Sequence, residues 1–509
     1  MNKTSYRVTR SLVLSAVAAS AASIAHAQYA PPPPPAPFPG FLNEYLRKND
    51  PYMNQWDFGG NARLRSEVKE GFGIQGVTGP VPSIDFRKDP ANTSDEYFME
   101  RIRYHAGYTG KWWSAYVEGR SSLEQSDERF AYANSPAVPG TFKTKGDGPE
   151  ADVIDLHQAY VTIGNHKEFP LSLKVGRQEM SYGEERLVGA FGWNNIGRVF
   201  DAVKLRWQNE WFGADFFTSR PVIPEDGRFN VENDYDVFSG MYATTTKIPK
   251  HLLDVYFFSR NTSQQAVSVE PRPQFPQPSA RDIYTIGGRF KSQPGQVGNW
   301  DYSLEGAYQF GDYRDRRLGV NSPRLTQDAF MVVLQGGYTF ANAWATPRIG
   351  AEYSYSSGDN NAHDGTHGTF DNLFPTNHKF YGYMDFISLQ NIQDVRGIFQ
   401  LKPMPRLSLA VEGHGFWLAN THDSFYNVGG APRGTGLTSG GGSNYGINPN
   451  YNAFVGTELD VIAGYAVTRF AQLEVGYGHF FTGDYIHQSL SVVGSRDADY
   501  IYTQATINF

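Results

Sequence analysis

The 509-residue chain has no cysteine, which excludes disulfides, thiolate metal centres and a lipid-modified amino-terminal cysteine together. Nothing covalent holds its fold. Beyond the first few dozen residues it also lacks any charge-free apolar run long enough for a membrane-spanning helix. Ser and His are present, but there is no Gly-x-Ser-x-Gly elbow and no His-Glu-x-x-His pair to mark an outer-membrane hydrolase, so neither an enzyme nor a cofactor site is expected. No basic surface stretch suggests a nucleic-acid partner.

Abundant instead are aromatic side chains (31 Tyr, 35 Phe and 9 Trp) and 53 glycines. The mean hydropathy of −0.47 would suit a soluble protein. It suits a membrane β-barrel equally well, because outward apolar and inward polar residues alternate and cancel in the average. Aromatic girdles at both interfaces and glycine-rich turns favour the barrel.

Residues 1–27 read as a signal peptide: basic Lys3, Arg7 and Arg10, an apolar stretch from Leu12 to Ile24, and the small-residue end Ala25-His26-Ala27. Export through the inner membrane is therefore expected. Residues 28–55 form a periplasmic leader whose Pro31 to Pro35, Pro37 and Pro39 favour extended polyproline II. Such a leader is either a solvated tether or a docking strap for a periplasmic secretion partner.

From residue 56 onward, period-two alternation recurs in eighteen runs: 56–68, 97–108, 111–122, 153–163, 171–180, 201–208, 211–220, 237–246, 251–260, 282–291, 300–310, 329–340, 348–356, 395–402, 407–418, 456–467, 471–481 and 500–509. Gaps after even-numbered runs are short and those after odd-numbered runs are mostly long, as short periplasmic turns and long outer loops require. One misplaced strand would scramble that alternation. The last run, Tyr500-Ile-Tyr-Thr-Gln-Ala-Thr-Ile-Asn-Phe509, ends on an aromatic, as the closing strand of an outer-membrane barrel does. The expectation is one all-β domain over 56–509, an 18-stranded antiparallel up-and-down transmembrane barrel with outer-membrane lipid and lipopolysaccharide as its surroundings.

The apolar face of each strand must meet lipid, so the other face lines the interior. Phe58, Ala62, Leu64 and Val68 point outward, which turns Arg63, Arg65 and Glu67 inward. The same logic sends Arg101, Arg103, His105, Glu118, Arg120, Lys174, Lys204, Arg206, Arg289 and Lys291 inside. Strands later in the chain contribute Asp301, Glu305, Glu352, Glu412, Glu458, Asp460 and Glu474 beside Arg348 and Arg396. A basic arc should thus face a more acidic one. Either the charges pair across the lumen and keep it solvated, or the basic arc lowers the barrier for anions.

Several phrases resemble the alginate-export family of Gram-negative outer-membrane barrels. They are Trp56-Asp-Phe-Gly-Gly-Asn-Ala-Arg-Leu-Arg65, Asp155-Leu-His-Gln-Ala-Tyr-Val161, Lys174-Val-Gly-Arg-Gln-Glu-Met180, Gly197-Arg-Val-Phe-Asp-Ala-Val-Lys204, Pro347-Arg-Ile-Gly-Ala-Glu-Tyr353 with Ser357-Gly-Asp359, and Leu373-Phe-Pro-Thr-Asn-His-Lys-Phe-Tyr-Gly-Tyr-Met-Asp385. Barrel periodicity dictates neither of the last two. The resemblance implies an 18-stranded monomer that passes an acidic exopolysaccharide, or a related sugar acid, through an Arg-lined constriction. It implies a lining of Arg63, Arg65, Arg101, Arg103, Arg120, Lys174, Arg177, Lys204 and Arg206, with Arg348 and Glu352 on the opposite wall. A general or sugar-acid-selective diffusion porin is the rival.

Two outer loops stand apart. Asp359, His363, Asp364 and His367 bunch potential ligands without the full spacing of a calcium loop, which leaves a hydrated loop or a weak calcium site. Gly429-Gly430 and Gly440-Gly-Gly442 mark a second loop that could fold inward as a plug.

Overall fold

The computed structural model describes residues 40–73, 85–88, 93–127, 149–224, 229–263, 279–315, 322–434 and 441–509. The signal-peptide stretch, Pro31 to Pro39 and Gly440 lie outside the described residues. Eighteen long strands follow in chain order: β1 Trp56–Glu70, β2 Ser94–Thr109, β3 Trp113–Gln125, β4 Asp152–Gly164, β5 Leu171–Gln178, β6 Phe200–Gln208, β7 Gly213–Ile223, β8 Asp236–Thr245, β9 His251–Thr262, β10 Arg281–Ser292, β11 Trp300–Tyr313, β12 Leu325–Thr339, β13 Arg348–Ser356, β14 Ile392–Met404, β15 Leu407–Leu418, β16 Phe454–Ala466, β17 Ala471–Thr482 and β18 Ala498–Asn508. Each pairs antiparallel with its neighbours in sequence. The ring closes where β18 pairs with β1, from Asn61 opposite Asn508 to Glu70 opposite Asp499.

Closure leaves no strand edge, which is what a sheet in hydrocarbon needs, since lipid offers the backbone no hydrogen-bond partner. Side chains alternate as the sequence predicts. Leu64, Tyr104, Val117, Val175, Val203, Ile349 and Val475 are exposed on the outer face, whereas Arg63, Arg65, Arg101, Arg103 and Glu118 are buried inside. Exposed Trp56, Trp113, Trp211, Trp300 and Phe340 mark a girdle at the short-turn end, and Phe98, Phe310 and Phe330 mark the other.

Each of the eighteen expected runs contains a strand, but three start or end two residues too far out, since 111–112, 179–180 and 211–212 lie outside the strands, and several continue further at the long-loop end. β2 begins at Ser94, β7 ends at Ile223, β11 at Tyr313, and β12 begins at Leu325. Beyond the bilayer the outer face no longer has to be apolar, so the ladder persists after its sequence signal fades. At the short-turn end, helix α1 (Phe41–Asn49) and a 3-10 turn (Pro51–Gln55) precede β1. The α1 side chain Asn43 accepts from the Phe58 N–H at 3.0 Å and pairs with Asp57, Glu44 pairs with Arg469, and Phe41 meets the Phe470 ring edge-on. The helix thereby straddles the β17–β18–β1 closure.

Candidate functional site

A barrel of eighteen strands is too wide for its wall side chains to fill. Two outer connections cross the interior instead: segment 179–199 between β5 and β6, and segment 357–391 between β13 and β14. They are stitched to each other. Gly189 N–H donates to the Phe374 carbonyl at 2.8 Å, Phe374 N–H to Leu187 at 2.9 Å, and Thr376 N–H to Glu185 at 2.9 Å, around a parallel bridge of Val188 and Phe374. Trp193 stacks on His378 with centroids 3.8 Å apart. Apolar anchors fix the pair to the wall: Phe374 packs with Phe200 and Phe238 on one side, and Phe386 with Phe72, Phe86 and Phe480 on another. Glu185, Phe191, Leu373, Asp385 and Asn391 all have positive φ, so non-glycine backbone strain gathers on these two segments.

The first segment lies against an arginine patch. Arg63 donates to the carbonyls of Gly192 (3.1 Å) and Trp193 (2.8 Å) and to Asn195 Oδ1 (3.1 Å). Arg101 donates to the carbonyls of Gly192 (3.0 Å) and Asn194 (3.2 Å), Arg65 to Trp193 (2.9 Å), and Arg120 to Ile196 (2.8 Å). The Arg65 guanidinium also lies 3.9 Å above the Trp193 ring. Gly197 sits at φ +80°, a left-handed backbone that residues with a β-carbon rarely adopt.

The register places like charges directly opposite one another: Arg63 against Arg101, Arg103 against Arg120, and Lys174 against Lys204. Such pairs destabilise a sheet. Some are compensated. Arg103 meets Glu179 at 2.9 Å and Arg120 meets Asp152, while Arg65, opposite Met99 in the register, meets Glu67 at 2.8 Å. Among the described residues, Arg63, Arg101 and Lys174 have no carboxylate within 4 Å, and buried donors on Arg63 (Nε), Arg101 (Nε) and Arg103 (Nε and Nη2) have no partner.

The remaining expected residues are more fully neutralised. Arg177 is bidentate to Asp201 at 2.9 and 3.0 Å, and Arg348 to Asp301 at 2.8 and 2.5 Å. Arg206 and Lys204 share Asp215 at 2.8 and 3.2 Å, and Arg289 contacts Asp254 at 2.6 Å. Glu352 accepts from Arg186 of the first segment at 2.6 Å. The pairing is local, within one wall or onto a crossing segment, rather than across an open lumen. Sequence reasoning missed the counter-ions Asp152, Asp201, Asp215, Asp254, Glu179 and Glu184, which make the basic arc less basic than residue facing alone suggests. Glu184 pairs with Lys291 and Arg289; burial pushes its carboxyl up, but those cations outweigh it and hold it at about 2.

The second segment meets acidic strand residues. Met384 N–H donates to Glu458 Oε1 at 2.9 Å and Tyr383 N–H approaches Asp460 Oδ2 at 3.4 Å. Gly382, at φ +89°, leaves room for the Glu458 carboxylate, which a β-carbon would strike. The Asp359 to His367 stretch is consumed locally: Asp359 Oδ1 accepts from the Asn361 N–H at 3.0 Å, and His367 meets Gln327 at 2.7 Å and stacks on Tyr313. Among the described residues no group of three or more His, Asp or Glu could hold a metal ion. The loop around Gly429-Gly430 rests on the second segment, with Asn377 donating to the Val428 carbonyl at 2.7 Å and Arg433 to that of Phe386 at 2.7 Å. The signal for the crossing segments was present in the sequence, as the family phrases Lys174 to Met180, Gly197 to Lys204 and Leu373 to Asp385 fall on or beside them.

A closed ring with apolar strands outside, charges inside and two interior crossings is a β-barrel of the outer-membrane channel class. The sequence model described as alginate export matches residues 82–498, and the chain belongs to that family. No curated protein sequence matches it. Among solved structures, OccAB3 of Acinetobacter baumannii is similar in fold, with 7% identity over 89% of this chain and 100% of that one and a TM-score of 0.54. OpdQ of Pseudomonas aeruginosa is similar at 8% identity over 90% and 98%, with a TM-score of 0.53. OccAB1 of Acinetobacter baumannii reaches 0.52 at 11% identity over 89% and 97%.

Proposed function

We propose that the barrel passes an acidic polysaccharide such as alginate, or related anionic sugars, across the outer membrane, with Arg63, Arg65, Arg101, Arg103 and Arg120 contacting the carboxylates. The observation that carries this reading is the set of like-charged cross-strand pairs on β1, β2 and β3. Arginines directly opposite each other cost stability, and a wall that only had to stay hydrated could use serine or asparagine. Arg63 and Arg101 offer guanidinium forks held in place by carbonyls rather than cancelled by carboxylates, and a planar fork suits a sugar carboxylate. The family membership supports a polysaccharide as cargo. Lys174, Arg177, Lys204, Arg206, Arg289, Arg348 and Glu352 extend the charged wall around the ring.

One feature favours the rival, a diffusion porin for small sugar acids: Arg177, Arg206, Arg289 and Arg348 are each matched by a carboxylate, which leaves much of the wall near neutrality. Bilayer recordings in a salt gradient separate the two. A polymer conduit rests mostly blocked by its crossing segments and prefers anions, and exchanging Arg63, Arg101 and Arg103 for Ala lowers that preference. An open, weakly selective pore whose reversal potential ignores those exchanges removes the polysaccharide reading.

A further inference from the structure

We infer that helix α1 is a clasp on the seam of the barrel: it takes the place that a further stretch of β18 would fill beside β1, docks only on the closed ring, and slows its reopening. The inference is independent of what passes through the lumen.

The seam has a step at its short-turn end. β1 pairs with β2 along its whole length, from Trp56 opposite Tyr108 to Glu70 opposite Ser94. On its other edge the register with β18 begins at Asn61 opposite Asn508. One further pair of hydrogen bonds joins Gly60 and Phe509, at 3.0 and 2.9 Å. Residues 56–59 therefore run past the end of β18. In an antiparallel ladder alternate residues turn their N–H and C=O to the same neighbour, so the groups that follow Gly60 on this edge belong to Phe58 and Trp56. A bare strand edge is a template for pairing with another chain, and its polar groups need partners.

Side chains of α1 provide those partners. Asn43 Oδ1 accepts from the Phe58 N–H at 3.0 Å, and the Arg47 guanidinium donates to the Trp56 carbonyl at 2.7 Å through Nη2 and 3.3 Å through Nε. Positions four apart share one face of a helix, so a single turn of α1 meets the next two steps of the ladder. Asn43 is buried by this contact, whereas Tyr45 on the same helix is 67% exposed. Other contacts reach other elements. Glu44 pairs with Arg469 in the turn between β16 and β17, and Phe41 meets the Phe470 ring edge-on with centroids 6.0 Å apart. Gly40 lies so close to Phe509 that a β-carbon there would collide with the Phe509 backbone. The dock is thus assembled from β1, the β16–β17 turn and the residue after β18. These lie some 400 residues apart in sequence and become neighbours only when β18 meets β1, so the complete dock does not exist before closure.

The test uses the full-length protein folded in detergent micelles, with heat-modified gel mobility separating folded from unfolded chains. Because the chain has no cysteine, Glu44→Cys with Arg469→Cys can be joined by a short bismaleimide. The link should form in the folded barrel and not in urea, and Gly40→Ala added to that pair should lower its yield. Asn43→Ala with Arg47→Ala should speed unfolding in urea about tenfold, the effect of losing about one hydrogen bond to a charged group. Refolding should keep its wild-type rate, since contacts made after the transition state act on unfolding alone. Tyr45→Ala, on the exposed side of α1, should leave both rates unchanged. Unfolding of the Asn43→Ala, Arg47→Ala protein at the wild-type rate overturns the clasp, and slowed refolding overturns the order of closure before docking. A folded barrel in which the cysteine pair does not link overturns the dock itself.

Discussion

The β1–β3 wall and the β15–β16 wall solve one problem with opposite charges. On the first, strand arginines meet the backbone carbonyls of residues 192–196; on the second, Glu458 and Asp460 meet the N–H groups of Tyr383 and Met384. A peptide group has a negative end and a positive end, so the sign of the strand charge selects which end docks. The inner face of each wall therefore does two things: it sets the field in the interior and positions the segment that crosses it. The difference lies in what remains unused. The arginine wall keeps spare buried donors on Arg63, Arg101 and Arg103, whereas the acidic wall keeps spare acceptors on Glu458 and Asp460. Under the proposed reading, a carboxylate of the cargo finds spare donors on the first wall and only spare acceptors on the second.

The largest break in this comparison should come from Arg63→Ala with Arg101→Ala. Hydrogen bonds to charged groups contribute about 1.5 to 3 kcal/mol each, so segment 179–199 should loosen while anion preference falls. Reversal potential and urea denaturation in detergent read the two effects separately. Trp193→Ala comes next, since it removes both the Arg65 contact and the His378 stack that ties the segments together. The expected loss is about 1 to 3 kcal/mol, with more frequent opening in single-channel records.

Glu458→Gln with Asp460→Asn sharpens the comparison from the other side. The amides still accept from Tyr383 and Met384, but without charge, so a loss of about 1 kcal/mol and a rise in anion preference are expected. If the reversal potential stays fixed, the acidic wall contributes nothing to selectivity.

The smallest effect concerns pH. A free glutamate titrates near about 4.3, whereas Glu184 is held at about 2 by Lys291 and Arg289. A depressed carboxyl stabilises the folded state above its free value and loses that contribution as pH falls through the folded one. The tether of segment 179–199 should therefore hold at pH 4 and release only as pH approaches about 2, visible as acid-induced opening. Opening near pH 5 would mean that Glu184 does not carry the tether.

The strands were legible because lipid imposes a rule on every second residue. Arg63 could be turned inward from its neighbours Ala62 and Leu64 alone, and the placement of Arg101, Arg103 and Arg120 followed likewise. The partners of those arginines were not legible. Gly192, Trp193 and Asn194 act through carbonyls, which every residue has, so no side-chain pattern announces them. Asp215 and Glu179 are unremarkable acids until the register sets them beside Arg206 and Arg103. Extra strand length at the outer end was missed for the converse reason: outside the bilayer the alternation rule no longer applies.

By itself the sequence determined an outer-membrane barrel of eighteen strands, its outward and inward faces, and the families of charge inside it, because hydrogen-bond closure in hydrocarbon and the period of a strand are local constraints. Tertiary structure alone decided which connections cross the interior and which cations stay unmatched there. Those outcomes depend on contacts between residues as far apart as Arg63 and Gly192 or Met384 and Glu458, and only the closed ring brings them within reach.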